Sequence, residues 1–575
     1  MMEPLFTLEA EDAPVFERRS ARKSHGVHYT PSQLAGFVAR RALAELPRRE
    51  QFVVLDPACG DGELLLAVAA EAETAGLPAP HLVGVDRDEE AVAAAKERLG
   101  KAPAASVVVR CEDFLAVGME QAGELPLTYD LVISNPPYVR TQVLGAARAQ
   151  ALARQFGLTG RVDLYHAFVA AMTANLGEGG VLGLLCSNRF LTTKGGHSLR
   201  SLLLRHYEVA EVWDLGDTKL FEAAVLPAVV VARRVNNPVA EPGAFVRVYE
   251  DTGSSENATD DSSLLNALEA ETEGAVQVLD RRFTIERGAL LEPSAERPWC
   301  LTSSSGSHWL GVVKKHSAAR FGDIGPIRVG IKTTADSVFI RPSWDDLPEE
   351  MRPEEALLYP LLTHRVAARW RAEDNAGRAR SVLYPHEIKE GRRQPVDLSG
   401  FPRAATYLEE HRVRLEGREY VRKAGRAWYE IWVPQQPDAW AAPKLVWPDI
   451  SDRPRFFLDR SGSIVNGDCY WLSCGNQSEA EITLALAVAN SSFALQYYDL
   501  CCGNRLYAGR RRFITQYLED LPMPDASSAA MHDIAEMVKQ MQLQGPAAVP
   551  EVVAAVESAL DVAVFELFGL KEVVR

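Results

Sequence analysis

Between Gln51 and Arg234 short apolar runs alternate with stretches of helical composition. The runs are Phe52–Leu55, His81–Val85, Val107–Arg110, Leu131–Ser134, Gly180–Cys186 and Val225–Ala232, the pattern left by strands buried in a parallel sheet. Between them, Glu63–Ala75 and Glu89–Leu99 are rich in Ala, Leu and Glu, all good helix formers. Strand and helix in alternation predict an α/β domain of the doubly wound, Rossmann-like kind. Asp251–Asp261 (DTGSSENATDD) is polar and turn-rich and reads as a loop or linker. Beyond it, Pro- and Trp-rich sequence with short strands runs to Pro524, and a helical tail ends at Arg575. The expected organisation is an α/β domain over 1–245, a connecting segment over 246–300, a mixed α/β domain over 301–524 and a tail over 525–575.

Composition narrows the class of protein. The 575 residues are 47% hydrophobic and 24% charged, ordinary values for a globular chain. No stretch approaches the roughly 20 apolar residues of a membrane span, and Met1–Asp12 is acidic without the features of a signal peptide, so a cytoplasmic protein is expected. Eight cysteines lack C-x-x-C spacing, which points to neither zinc nor a disulfide scaffold, and no metal site is assigned. The net charge of −16 argues against a polyanionic partner on average, but phosphate binding depends on local charge. Two basic runs qualify: Arg412–Arg426, with Arg414, Arg418, Arg422 and Lys423, and Arg505–Arg512, with Arg510, Arg511 and Arg512. Each reads equally as a solvated face.

Candidate chemistry lies at the ends of the predicted strands. The first runs into Asp56-Pro57-Ala58-Cys59-Gly60-Asp61-Gly62, a turn whose glycines let the backbone approach a ligand at the carboxyl edge of the sheet. The turn is not G-x-G-x-x-G, so it does not read as a pyrophosphate loop. The second strand ends at Asp86, followed by Arg87; the carboxylate is placed to accept hydrogen bonds from a ribose diol. The third ends at Asp113-Phe114, an acidic acceptor beside an apolar ring able to hold an adenine. The fourth ends at Asn135-Pro136-Pro137-Tyr138, a polar amide in a proline-stiffened turn.

This series resembles the cofactor-binding and catalytic motifs of amino-methyltransferases. With His28-Tyr29-Thr30-Pro31 upstream, it resembles the gamma-class, TaqI-type DNA adenine-N6 methyltransferases of restriction-modification systems. The resemblance implies S-adenosyl-L-methionine as cofactor, contacted by Thr30, Asp56, Pro57, Ala58, Gly60, Gly62, Asp86, Arg87, Asp113, Phe114 and Asn135. It implies double-stranded DNA as substrate and a target adenine flipped out of the duplex. An adenine amine is a poor nucleophile because its lone pair is delocalised into the ring. The Asn135 side-chain oxygen and the Pro136 carbonyl can each accept one of its N–H groups, which orients it and favours a tetrahedral nitrogen. Tyr138 supplies a stacking ring. Phe221 stands where the family carries a second ring, or is a core residue ahead of a strand. Cys59 lies outside the Pro-Cys setting of cytosine-ring methylases, so no covalent intermediate is implied.

Downstream, Gly330–Phe339, Pro443–Trp447, and Asn490-Ser-Ser-Phe493 with Tyr507 and Arg510–Pro522 look like a target-recognition region, with Arg422, Arg510, Arg511 and Arg512 as candidate DNA contacts. The fold expected is thus a Rossmann-like methyltransferase domain followed by a mixed α/β target-recognition domain. The short leader before Thr30 leaves no room for a fused nuclease, so a separately encoded restriction endonuclease or defence-system protein is the expected partner. Glutamine methylases of release factors share NPPY, and RNA adenine methylation or a non-catalytic DNA-recognition subunit are further alternatives.

Overall fold

The computed structural model describes residues 30–116, 128–139, 141–159, 162–218, 226–238, 242–250, 258–290, 293–299, 301–302, 304–373, 377–502, 510–525, 531–543 and 549–570. The chain divides into two compact units, 1–304 and 305–575. Among the described residues no helix is long and apolar enough to cross a membrane.

The first unit is built on one large mixed sheet. Its first five strands are β1 (Val53–Asp56), β2 (His81–Asp86), β3 (Ser106–Cys111), β4 (Tyr129–Ser134) and β5 (Leu176–Ser187). They lie in the order β3-β2-β1-β4-β5, all parallel. Then come β6 (Tyr207–Asp214), β7 (Pro227–Arg234), β8 (Gly243–Glu250), β9 (Thr259–Asp261), β10 (Gly274–Val278) and β11 (Arg281–Leu290), with the short Leu301–Thr302 pairing onto β11. They continue the sheet as β7-β6-β8-β11-β10-β9. Strand β1 therefore has β2 on one side and β4 on the other, with the chain reversing its direction of travel between them. That reversal opens a crevice at the carboxyl ends of β1 and β4.

Helices follow from the same sequence logic. Helix α1 (Ser32–Glu45) starts after Pro31 and buries Leu34, Phe37, Val38 and Ala42. Helix α2 (Glu63–Thr74) leaves the glycine turn with Leu64, Leu65, Val68 and Ala72 inward. Helix α3 (Glu89–Leu99) is capped by Asp88, whose carboxylate accepts from the Glu90 and Ala91 amides, the N-cap arrangement Asp favours. Helix α4 (Leu164–Asn175) follows the Asn-Pro-Pro-Tyr turn and buries Tyr165, His166 and Phe168.

The stretch 246–300, read above as connecting sequence, belongs to the sheet. Strand β8 pairs in parallel with β6 and antiparallel with β11 over eight residue pairs, and Phe245, Val246, Val248, Phe283 and Ile285 are buried. Among its described residues only Leu264–Glu269 is helical. Of the polar run Asp251–Asp261, Thr259–Asp261 forms β9, and 251–257 lie outside the described residues.

The second unit holds two four-stranded sheets. One orders Ile327–Val329, Cys469–Ser473, Lys444–Pro448 and Phe457–Asp459, all antiparallel; the other orders Ile340–Arg341, Arg380–Leu383, Leu358–Leu362 and Ile464–Val465. Helices Glu479–Asn490, Ser492–Cys501, Met531–Leu543 and Pro550–Leu567 share one core, in which Phe493 stacks on Phe568 with ring centroids 4.0 Å apart. The chain beyond Pro524 is thus part of this unit.

Candidate active site and specificity unit

Asp56, Asp86 and Asp113 follow or end β1, β2 and β3 and lie along one edge of the sheet. Asp56 faces inward. Its Oδ1 accepts from Ala58 N at 3.1 Å and from the Ser134 hydroxyl at 2.9 Å, so it ties the glycine turn to the end of β4. It is 1% exposed, and burial raises its pKa to about 7. Asp86 is half-buried; its Oδ2 accepts from Gly60 N at 2.8 Å and its Oδ1 from Asp88 N at 3.0 Å. Arg87 beside it is exposed. Asp113 turns its chain by accepting from Leu115 N at 3.0 Å, and Arg148 stands 4.0 Å away. Phe114 is half-buried and stacks on Phe168, with centroids 6.0 Å apart and planes at 25°.

The two glycines of the turn differ in role. Both have positive φ, 52° at Gly60 and 85° at Gly62, a conformation in which a side chain is strained. At Gly62 an added Cβ would meet Leu99 Cδ1 at 3.1 Å and Ala95 Cβ at 3.4 Å. That glycine admits α3 against α2 rather than a ligand. Gly60 is held through its amide by Asp86. Pro57 and Ala58 line the same turn, Pro57 buried beside the Asp56 carboxylate and Ala58 half-buried. Cys59 is buried, and burial pushes its thiol well above the ordinary range, which leaves it inert as a nucleophile.

Asn135 is half-buried and held from two sides. Its Nδ2 donates to Thr30 Oγ1 at 3.1 Å, and the Tyr138 hydroxyl donates to its Oδ1 at 2.5 Å. Pro136 is buried and Pro137 half-buried. The turn is anchored downstream by Val139, which takes the amide of Leu164 on its carbonyl at 2.9 Å. Tyr165 meets the Tyr138 ring edge-on at 6.3 Å. Burial holds the Tyr138 phenol well above its usual pKa, so it remains a hydrogen-bond donor. The structure thus brings Thr30, Asn135 and Tyr138 together directly, a contact between positions 30 and 135 that no sequence spacing signals. His28, Tyr29, Phe221 and Tyr507 lie outside the described residues.

The donor set suits a nucleoside-bearing cofactor. Carboxylates at successive strand ends can accept from a diol and an amine, and the Phe114–Phe168 pair offers an apolar wall for a base.

In the second unit most of the motif residues are frame. Trp447 Nε1 donates to Phe513 O at 2.7 Å, and Asn490 exchanges both its amide groups with the backbone of Phe456 at 2.9 Å. Lys444 is wholly buried and pairs with Asp459 at 2.7 Å. Gly330 lies against Asn466 O, where a Cβ would fall at 2.0 Å. The basic runs separate in the same way. Arg511 pairs with both oxygens of Asp499 at 2.7 Å, and Arg512 pairs with Asp449 at 2.5 and 3.1 Å. Arg418 is buried and donates to the Leu415, Thr333 and Trp428 carbonyls. Arg422 and Arg510 are exposed, and their side chains make no hydrogen bond or ion pair among the described residues.

Comparison with known proteins identifies the family. Residues 111–221 match the Eco57I restriction-modification methylase family, and residues 403–523 match the TaqI-like C-terminal specificity domain. The type II methyltransferase M.BanIII of Aneurinibacillus aneurinilyticus is 38% identical over 546 residues, covering 91% of this chain and 94% of its own. The release factor glutamine methyltransferase of Caulobacter vibrioides is 34% identical, but over 115 residues, 20% of this chain and 36% of its own. Among solved structures, the type IIL restriction-modification enzyme MmeI in complex with DNA aligns with a TM-score of 0.59 at 13% identity, covering 95% of this chain and 73% of that one. Two matched families in series and a relative aligned over nearly its full length lead to one conclusion: the chain belongs to the type II restriction-modification methyltransferases.

Proposed function

We propose that this methyltransferase transfers a methyl group from S-adenosylmethionine to the exocyclic N6 of an adenine flipped out of duplex DNA. The observation that carries the reading is the Asn135 amide, held between Thr30 and Tyr138 in the crevice beside three acidic strand ends. When bound, S-adenosylmethionine supplies an electrophilic methyl group on a sulfonium. Asp86 and Asp113 accept hydrogen bonds from the nucleoside part, and the Phe114–Phe168 wall packs on its base. Asp56 keeps the glycine turn closed from beneath. Asn135 Oδ1 and the Pro136 carbonyl accept the two N–H groups of the target amine, so its lone pair points at the methyl group. The Tyr138 ring stacks on the base. Stacking of that kind is worth roughly 1 to 3 kcal/mol per ring, comparable with the few kcal/mol that extrusion costs. The second unit reads the sequence, with Arg422 and Arg510 on phosphates.

The local likeness to a glutamine methylase is the basis of a second reading, in which a protein amide is the acceptor. The match to a specificity domain over 403–523 favours DNA. Long-read sequencing of DNA from a methylation-free host expressing the chain decides: N6-methyladenine at one motif supports the proposal, and its absence overturns it. Asn135→Ala should abolish transfer and leave cofactor affinity within about threefold, read by a tritiated-methyl assay beside calorimetry. Retained activity would exclude the amide from the chemistry.

A further inference from the structure

The hydrogen bond from Asn135 to Thr30 joins the amide to a residue 105 positions earlier, and the mount at that end is rigid. Thr30 precedes Pro31, and a residue before proline is confined to extended backbone. The Pro31 carbonyl accepts from Ala35 N at 2.9 Å, opening α1. That helix cannot shift easily. Leu34, Phe37, Val38 and Ala42 are buried, and an added Cβ at Gly183 of β5 would meet Ala42 Cβ at 3.0 Å. Arg40 pairs with Glu269 and Glu71, and Arg41 pairs with Glu211. At the other end, Tyr138 bonds the opposite heteroatom of the same amide. The terminal torsion of an amide is broad and roughly two-fold in free asparagine, and here Thr30 and Tyr138 bond its opposite heteroatoms. Two hydroxyls on opposite heteroatoms fix its plane.

From this we infer that Thr30 is a positioning residue for the transfer step, acting through Asn135: its hydroxyl holds the catalytic amide with the acceptor oxygen on the side of the Tyr138 ring. The inference rests on the proposed function in one respect, that Asn135 takes the target amine. Its consequence differs from that of a cofactor contact. Loss of the hydroxyl loosens the amide that orients the nucleophile, so the chemical step slows while both substrates still bind. A neutral hydrogen bond of ordinary strength corresponds to a several-fold effect, and orientation is the quantity it controls.

The test compares Thr30→Val, which keeps the shape and removes the hydroxyl, with Thr30→Ser, which keeps the hydroxyl. Full-length proteins are given saturating S-adenosylmethionine and genomic DNA from a methylation-free host, and single-turnover methylation is followed beside calorimetric cofactor binding. For Thr30→Val the rate is expected to fall about five- to tenfold with the cofactor Kd within about twofold of the parent. Thr30→Ser should restore the rate to within about twofold. Should Thr30→Val fail to fold, Thr30→Ala carries the same expectation. A parental rate in Thr30→Val overturns the inference. So does a cofactor Kd that rises by the same factor as the rate falls, which would make Thr30 a cofactor contact. Equal impairment in Thr30→Ser also overturns it, since shape and not the hydroxyl would then matter. The methylated base of the parent protein is identified first. Absence of N6-methyladenine there refutes the proposed function, whereas N6-methyladenine with an unaffected Thr30→Val rate refutes only the role of Thr30.

Discussion

Replacing Asp86 with Ala removes two things at once, and their magnitudes separate them. The carboxylate accepts from Gly60 N at 2.8 Å and Asp88 N at 3.0 Å. Hydrogen bonds to a charged group are worth about 1.5 to 3 kcal/mol each when protected. Asp86 is half-buried, so water replaces part of that, and a total near 2 kcal/mol is expected. For a unit of this size, about 2 to 4 °C of melting temperature accompanies each kcal/mol, giving a drop of roughly 4 to 8 °C without cofactor. If Asp86 also accepts from a ribose diol, S-adenosylmethionine affinity falls by a further 1 to 3 kcal/mol, about 5- to 150-fold. Calorimetric titration at 15 °C, with the variant fully folded, measures that part alone. Melting at the parental temperature would refute the anchoring of the glycine turn. A lowered melting temperature with an unchanged Kd would show that Asp86 holds the turn and not the ribose.

Two other outcomes follow from the geometry. Asp56 binds its proton more tightly when folded, with a pKa of about 7 against the usual 3.8, so its contribution to stability is fully present below about pH 3.8 and is lost as pH rises through 7. Urea midpoints between pH 5 and 7 should fall less steeply in Asp56→Asn than in the parent, by at most about 1.4 kcal/mol per pH unit; parallel profiles would remove Asp56 as the cause. Arg510→Ala should lower DNA affinity and reduce the log-salt slope by about 0.9, with the melting temperature unchanged, whereas Arg511→Ala, by removing the two-bond contact to Asp499, should destabilise the second unit by about 2 kcal/mol. The reverse pattern in binding and melting would exchange the two roles.

The strands β1 to β5 are legible because parallel strands read as nearly uninterrupted apolar runs, and their ends fall within two residues of expectation except at the start of β5, Leu176 against the expected Gly180. Of the added strands β7 is legible as the run Val225–Ala232, but β6 and β8 to β11 are not. In β11 (RRFTIERGAL) the buried Phe283 and Ile285 alternate with half-buried Arg282, Thr284 and Glu286, and a polar alternation beside Asp251–Asp261 resembles a connector. The Asn-Pro-Pro-Tyr turn and the acidic strand ends announce themselves by position after each strand. Their partners do not: Ser134 beneath Asp56, Gly60 under Asp86 and Thr30 on Asn135 are set by tertiary packing. A run of arginines likewise carries no sign of which side chains meet a carboxylate. Asp449 and Asp499, which take Arg512 and Arg511, lie 63 and 12 residues away.

The strands that look like a connector have a mechanical consequence for Asp214 to Thr218, which leaves the end of β6 and is held by β8 or β11 at Asp214, Gly216, Asp217 and Thr218, while Leu215 N donates to the Pro227 carbonyl of β7 at 3.0 Å. Asp214 lies opposite Arg247 of β8 in register, with the guanidinium 3.9 Å away, and takes the Asn188 amide at 2.9 Å. Asp217 accepts Glu250 N of β8 at 2.9 Å, and Arg281 of β11 donates to the Thr218 carbonyl at 2.8 Å while pairing with Glu250. Gly216 makes the turn at φ 47° with its α-carbon against Val248 O, where a Cβ would fall at 2.4 Å. A chain cut near Val235 would keep Asn188 on Asp214 but lose every partner from β8 and β11, and would leave unpaired the edge of β6 that β8 now covers. The compact unit that holds Asn135 therefore runs to Ser304, and β8 and β11 belong to the support of Asp214 to Thr218.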